Sequence, residues 1–355
     1  MIDIRNILRK AVLFLKREKI YIYLLIFVLI FQLSLAMLNM FLQKTGLDTV
    51  FEQEYDQGEL APEERIEALL ETNPIIYFVL LYLFVLFVFF LVLGVIVDIG
   101  YILLRHNERN PIVRVRSVEN ARWGIWDLCK VAIIFLFAQS IMFLFDIFVL
   151  SAIPYLQLRS GLRLSLSATV IDLVGLFAVI YFVVGQRRQD ISALGVTMKR
   201  FFANVRYGIV AYVGLIPVLV IVMFTTTMLF EIFKIPVEPQ PVLVLLREEE
   251  HIPTLLYMCF FTGLFGPIVE EVLFRGFVYG LFKRYAGVFG GVVLSAAFFA
   301  SIHTNLASFF PIFCLGILLA YLYEKTGSLI SSITVHVIHN SVSLMLLLFI
   351  KALVG

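Results

Sequence analysis

Long uninterrupted apolar stretches decide what this chain can fold into. Runs close to the roughly 20 residues one helix needs to cross a bilayer occur at about 20–42, 75–104, 125–150, 168–185, 207–233, 254–282, 287–304, 307–323 and 329–350. Inside lipid every backbone N–H and C=O must find its partner within the chain, so runs of this length predict helices. Composition agrees: 61% of the 355 residues are hydrophobic and 15% charged, whereas about a quarter are charged in a soluble domain. The expected fold class is all-α, a polytopic transmembrane helical bundle of about eight or nine spans, with the pair at 287–323 the shortest. The 35 Phe and 15 Tyr suit spans and interfacial belts, and Trp123 and Trp126 read as interfacial anchors of the third run. With 28 basic against 26 acidic residues, no broad basic face is available for nucleic acid. Cys129, Cys259 and Cys314 stand singly in apolar stretches, which suggests neither a disulfide framework nor a cysteine metal site.

Lys and Arg in the short loops set the orientation. Arg5, Arg9, Lys10, Lys16, Arg17 and Lys19 precede the first run; Arg105, Arg109, Arg114, Arg116 and Arg122 follow the second; Arg187, Arg188, Lys199, Arg200 and Arg206 follow the fourth. The alternate loops hold two each, so the N-terminus is expected in the cytoplasm. The first run is too long, and lacks the small-residue cleavage site, for a removable signal, so it is expected to stay as an anchor. The loop at 43–74 carries nine acids, from Asp48 to Glu71, and reads as a solvated external loop. Residues 1–200 are expected to form N-terminal transmembrane helices with that loop, and 201–355 a second domain.

An ionisable side chain at membrane depth costs a few kcal/mol or more, so it usually faces a bundle interior and marks function. Such groups gather in the last hundred residues: Glu270, Glu271 and Arg275; His303 at the end of Phe299-Ala300-Ser301-Ile302-His303; and His336, His339 and Asn340. Glu271 and Arg275 are four apart, an acid preceding a base, the order that pairs best on a helix face. Arg275 is expected to neutralise Glu271 and leave Glu270, about 100 degrees round the helix, free to act. His336 and Asn340, also four apart, aim at one neighbour. If Lys283, Arg284, Glu324 and Lys325 mark the cytoplasmic face, Glu270 sits roughly 21 Å deep, His303 roughly 28 Å, His336 roughly 16 Å and Asn340 roughly 22 Å at about 1.5 Å per residue. They can meet inside the membrane. A break is expected at Gly266-Pro267, because Pro267 removes a backbone donor and crowds the carbonyl of Gly263. Gly276, Gly280, Gly287 and Gly291 offer small-xxx-small faces for close helix approach. His339, off the motif spacing, reads as a neutral supporting or core residue, and Asp98, Asp146 and Asp172 as interfacial or helix-pairing acids.

Glu270-Glu271-x-x-x-Arg275, Phe299-x-x-x-His303 and His336-x-x-x-Asn340, in that order on successive apolar helices, resemble the three motifs of the CAAX-protease and bacteriocin-processing family of intramembrane endopeptidases, which includes the type II CAAX prenyl endopeptidases. The resemblance spans roughly 254–350, and nothing before about residue 200 carries a matching motif. It implies that 201–355 is an intramembrane protease-like domain and that Glu270 activates a water molecule. His303 would orient or polarise that water, His336 and Asn340 would hold the scissile carbonyl and its developing charge, and Glu271 and Arg275 would support Glu270. A second version centres on a divalent metal such as Zn²⁺, with Glu270, His303 and His336 as its three protein ligands and water in the open position; the choice between the two stays open.

The implied partners are membrane lipid and a hydrophobic or lipidated peptide or protein substrate, with no nucleic acid. The implied location is an integral, multi-pass position in the cell membrane. Two other functions remain in view at this point: a transporter or channel whose relay uses Asp98, Asp146 and Asp172 with the histidines, and a catalytically silent immunity or scaffold protein of the same family. The scattered acids and the lack of an inverted repeat disfavour the first; the complete motifs count against the second.

Overall fold

The computed structural model describes residues 18–45, 74–106, 122–150, 160–235, 240–303 and 306–354. The acids of the 43–74 loop, the basic residues from Arg5 to Arg17, and Arg109, Arg114 and Arg116 fall outside these. Every regular element among the described residues is a helix. In chain order they are α1 (Lys19–Thr45), α2 (Pro74–His106), α3 (Ile125–Phe145), α4 (Ser160–Ile180), α5 (Phe201–Ile232), α6 (Pro241–Glu248), α7 (Ile252–Phe260), α8 (Gly266–Glu271), α9 (Gly280–Ser301), α10 (Leu306–Thr326) and α11 (Leu329–Val354). Eight helical stretches are long and apolar enough to cross a membrane, which marks a multi-pass integral membrane protein of the expected all-α class.

Contacts divide the chain into two units, 1–65 with 124–158, and 66–123 with 159–355. In the first, α1 lies along α3 through edge-on ring pairs, Phe27 with Phe137 at 5.3 Å and Phe31 with Phe143 at 5.7 Å. Lys130, buried on α3, donates to Glu18 at 2.6 Å, so its charge is compensated at the end of the pair. In the second, α5 packs against α2, α10 and α11. Leu215 and Leu219 of α5 meet Leu315, Leu319 and Leu322 of α10 and Val335 of α11 in a buried cluster. A smaller cluster joins Leu246 of α6, Met258 of α7 and Leu344 of α11.

The stretch from α7 to α9 positions the site. The segments are joined by π-helical turns, Phe261–Phe265 and Val272–Tyr279. Where a break was expected at Gly266-Pro267, the helix continues: the widened turn passes the Gly266 N–H to the carbonyl of Phe261, and this looser winding accommodates the proline that a regular α-turn would exclude. As one unbroken apolar segment, Ile252–Ser301 has 50 residues, and a straight helix of that length would run roughly 75 Å, over twice a hydrocarbon core. Gly287, at φ +71° and ψ −177°, ends that run. The chain folds back on itself there: Gly291 lies so near Lys283 that a Cβ would stand 2.9 Å from its Cα, and the Phe298 ring meets those of Phe282 and Phe274 at 6.3 and 5.8 Å. The fold-back splits the segment into the two runs read from the sequence at 254–282 and 287–304. Below the bend, Lys283 donates to both oxygens of the buried Glu324 on α10 at 2.7 and 2.8 Å, and the Tyr279 hydroxyl donates to one of them at 2.7 Å.

The backbone geometry of Gly287 is essentially confined to glycine and costs another residue about 1–3 kcal/mol. Gly287→Ala is therefore expected to lower the thermal stability of the detergent-purified protein by about that amount, although no atom lies within 4 Å of the added methyl group. An unchanged melting temperature would show that the bend does not depend on this residue.

Candidate active site

Glu270 and Glu271 end α8, and Arg275 follows one turn later in the π-helical stretch. Successive residues on a helix point about 100 degrees apart, and the two carboxylates have opposite surroundings. Glu271 is fully buried, and Arg275 donates to its Oε1 at 2.7 Å. Glu270 keeps 28% of its side-chain surface and opens on a cavity of about 870 Å³. Arg275 is itself enclosed, its guanidinium carbon 4.2 Å from the centre of the Phe299 ring. A planar cation over an aromatic face, paired with a carboxylate, is a compensated way to bury a charge.

His336 of α11 stands between the two acids. Its Nδ1 is 3.0 Å from Glu271 Oε1 and its Nε2 is 3.7 Å from Glu270 Oε2. A carboxylate paired with arginine can only accept, so Nδ1 carries the proton bonded to Glu271, and Nε2 is left facing Glu270. Glu270 Oε2 is buried with no hydrogen-bond partner among the described residues. His303 follows the same logic. Its Nδ1 is 2.9 Å from the carbonyl of Phe299, one turn back, so Nδ1 is the donor and Nε2 is the ring nitrogen left for a second partner. The Phe299 ring touches both histidines edge-on, His303 at 4.9 Å and His336 at 5.6 Å between centres. Asn340, one turn after His336, donates to the carbonyl of Thr262 at 2.9 Å, in the π-helical turn where the ladder has been loosened.

Glu270, His303, His336 and Asn340 all line this cavity, and Glu271 and Arg275 lie outside its lining. The sequence motifs thus separate into four residues that face the space and two that stand behind. Several lining residues carried no motif. Ser165 and Ala168 come from α4, and Leu219, Met223, Thr226 and Phe230 from α5. Gln240, which precedes α6, donates to Ser308 of α10 at 2.8 Å across the rim. Asp172 lies one turn beyond Ala168 on α4, within electrostatic range of Glu270, so one of the three scattered acids stands near the site. Asp98 sits beside Gly214 where α2 meets α5. No spacing in the sequence distinguishes these wall residues, because apolar side chains facing a cavity look like those facing lipid. His339 is different: 336, 339, 340 and 343 fall on one helical stripe, and all four line the cavity.

Glu270, His303 and His336, the residues suggested for a zinc centre, are not brought together as a set of three ligands. Among the described residues no three His, Cys, Asp or Glu side chains stand together so as to hold a metal ion. No step below is routed through a metal.

No curated protein and no solved structure matches the chain. The resemblance carried by the three motifs holds for the part of the chain that contains them: residues 252–342 match the family model of the type II CAAX prenyl endopeptidase Rce1-like proteins.

Proposed function

We propose that this protein is an intramembrane endopeptidase that hydrolyses a peptide bond in a membrane-associated, hydrophobic or lipidated peptide. The similarity to the type II CAAX prenyl endopeptidases supports a peptidase in general. The finer reading rests on one observation: the part-exposed Glu270 carboxylate and His336, whose Nε2 is 3.7 Å from the enclosed Oε2, line the same cavity. A water held from the cavity side by that carboxylate and by Nε2 donates one hydrogen to each. A water so held has its oxygen lone pair turned to the cavity, where a peptide carbonyl carbon can be attacked.

Glu270 takes one proton as the water oxygen bonds to the carbonyl carbon, and passes it to the amine nitrogen as the C–N bond breaks. The second N–H of the Asn340 amide, not used by Thr262, faces the carbonyl oxygen as its charge develops. His303 Nε2 accepts from the peptide N–H and fixes its orientation. Glu271 holds the His336 tautomer, and Arg275 compensates Glu271. We further place the N-terminus in the cytoplasm and the protein in the cell membrane, on the basic loops that flank the first, second and fourth runs.

The test compares peptide termini from cells carrying the wild type with those from cells carrying Glu270→Gln at equal abundance. Termini present only with the wild type support the peptidase and identify its substrates. No difference, with both proteins folded, overturns it. In the same comparison His303→Ala is expected to reduce the wild-type-specific termini by roughly 10²-fold, the lower end of the range for one proton-handling group.

A further inference from the structure

His339 is a titratable residue of the cavity wall that the mechanism above leaves unused. It lies on the α11 stripe with His336, Asn340 and Ser343 and lines the same cavity. Its ring packs edge-on against Tyr212 of α5, 6.1 Å between centres. Neither ring nitrogen has a hydrogen-bond partner among the described residues, and Nδ1 is enclosed. A half-buried imidazole with an enclosed, unpaired Nδ1 is a cost that packing alone does not explain, since an apolar ring of the same shape would avoid it. Of the two neutral tautomers, the one with its proton on Nε2 leaves only a bare acceptor enclosed at Nδ1, and an orphaned acceptor is better tolerated than an orphaned N–H. That tautomer turns a free donor towards the cavity.

The neighbouring donors are already committed. His336 Nδ1 is on Glu271, His303 Nδ1 on the Phe299 carbonyl, and one Asn340 N–H on the Thr262 carbonyl. We propose that His339 is a substrate-binding residue, whose Nε2–H donates to a backbone carbonyl of the bound peptide beside the scissile bond. This rests on the peptidase reading. A bond made equally in the bound and transition states raises KM when lost and leaves kcat alone.

The probe is a farnesylated Cys-aliphatic-aliphatic-X peptide bearing a fluorophore and quencher, cleaved by the full chain in detergent. His339→Phe keeps the ring against Tyr212 and removes both nitrogens; KM should rise about tenfold with kcat within about twofold, the effect of one neutral hydrogen bond. Its melting temperature should equal or exceed that of the wild type, because a structural role would lower it. His339→Gln, which restores an N–H at the reach of Nε2, should return KM to within about twofold of wild type. An unchanged KM in His339→Phe, or a lowered melting temperature, overturns the proposal while wild-type cleavage and an inert Glu270→Gln leave the peptidase reading standing. If wild type and Glu270→Gln alike leave the probe intact, the peptidase reading fails for this peptide and this inference falls with it.

Discussion

Replacing Glu270 by Gln is expected to lower peptide hydrolysis by about 10²–10⁴-fold, the range for loss of a positioned general base, with membrane abundance and melting temperature close to those of the wild type. The change is nearly isosteric. The side chain lies on the cavity wall and is part exposed, so no enclosed ion pair is broken. An amide also donates, and its N–H can bond His336 Nε2 directly, filling the position that water occupies in the mechanism. The loss should therefore appear in kcat, measured as initial rates at saturating peptide. A Glu270→Gln protein that turns over at more than about a tenth of the wild-type rate would remove Glu270 from the role of base.

Arg275→Met should act on the fold itself. Arg275 and Glu271 are 1% and 0% exposed, and removing the cation strands a carboxylate where water cannot reach it. Breaking one side of a buried pair costs about 3–5 kcal/mol, a large share of the 5–15 kcal/mol that holds an ordinary domain together. The expected outcome is a protein that fails to accumulate in the membrane or melts far below the wild type. The double change Glu271→Gln with Arg275→Met removes both charges and should recover much of the stability. It should remain slow as an enzyme, because His336 loses the carboxylate that fixes its proton on Nδ1. If Arg275→Met alone is as stable as wild type, the pair is not the support described here.

The spans were legible because a bilayer demands about 20 apolar residues wherever a helix crosses, and that demand leaves a mark in any single sequence. The ion pair was legible too, since an acid and a base four apart on a helix have few other places to go. What escaped was local winding and remote walls. Gly266-Pro267 read as a break, and the π-helical turn absorbed it, a rearrangement that depends on five residues and their neighbours rather than on the proline. The cavity side formed by Ser165 and Ala168 of α4, and by Leu219 and Met223 of α5, was invisible because nothing in those residues tells cavity from lipid. His339 had the stripe spacing in plain sight, yet only its enclosed, unpaired Nδ1 and its place on the cavity wall give it a task.

Phe299 has a consequence that reaches beyond its own packing. One ring carries the guanidinium on its face and both histidines on its edge, and its own carbonyl sets the tautomer of His303. The two imidazoles are therefore geared to a common shaft. A shift of α9 against α11 would re-aim both at once, so the water-holding and peptide-orienting halves of the chemistry would switch on and off together.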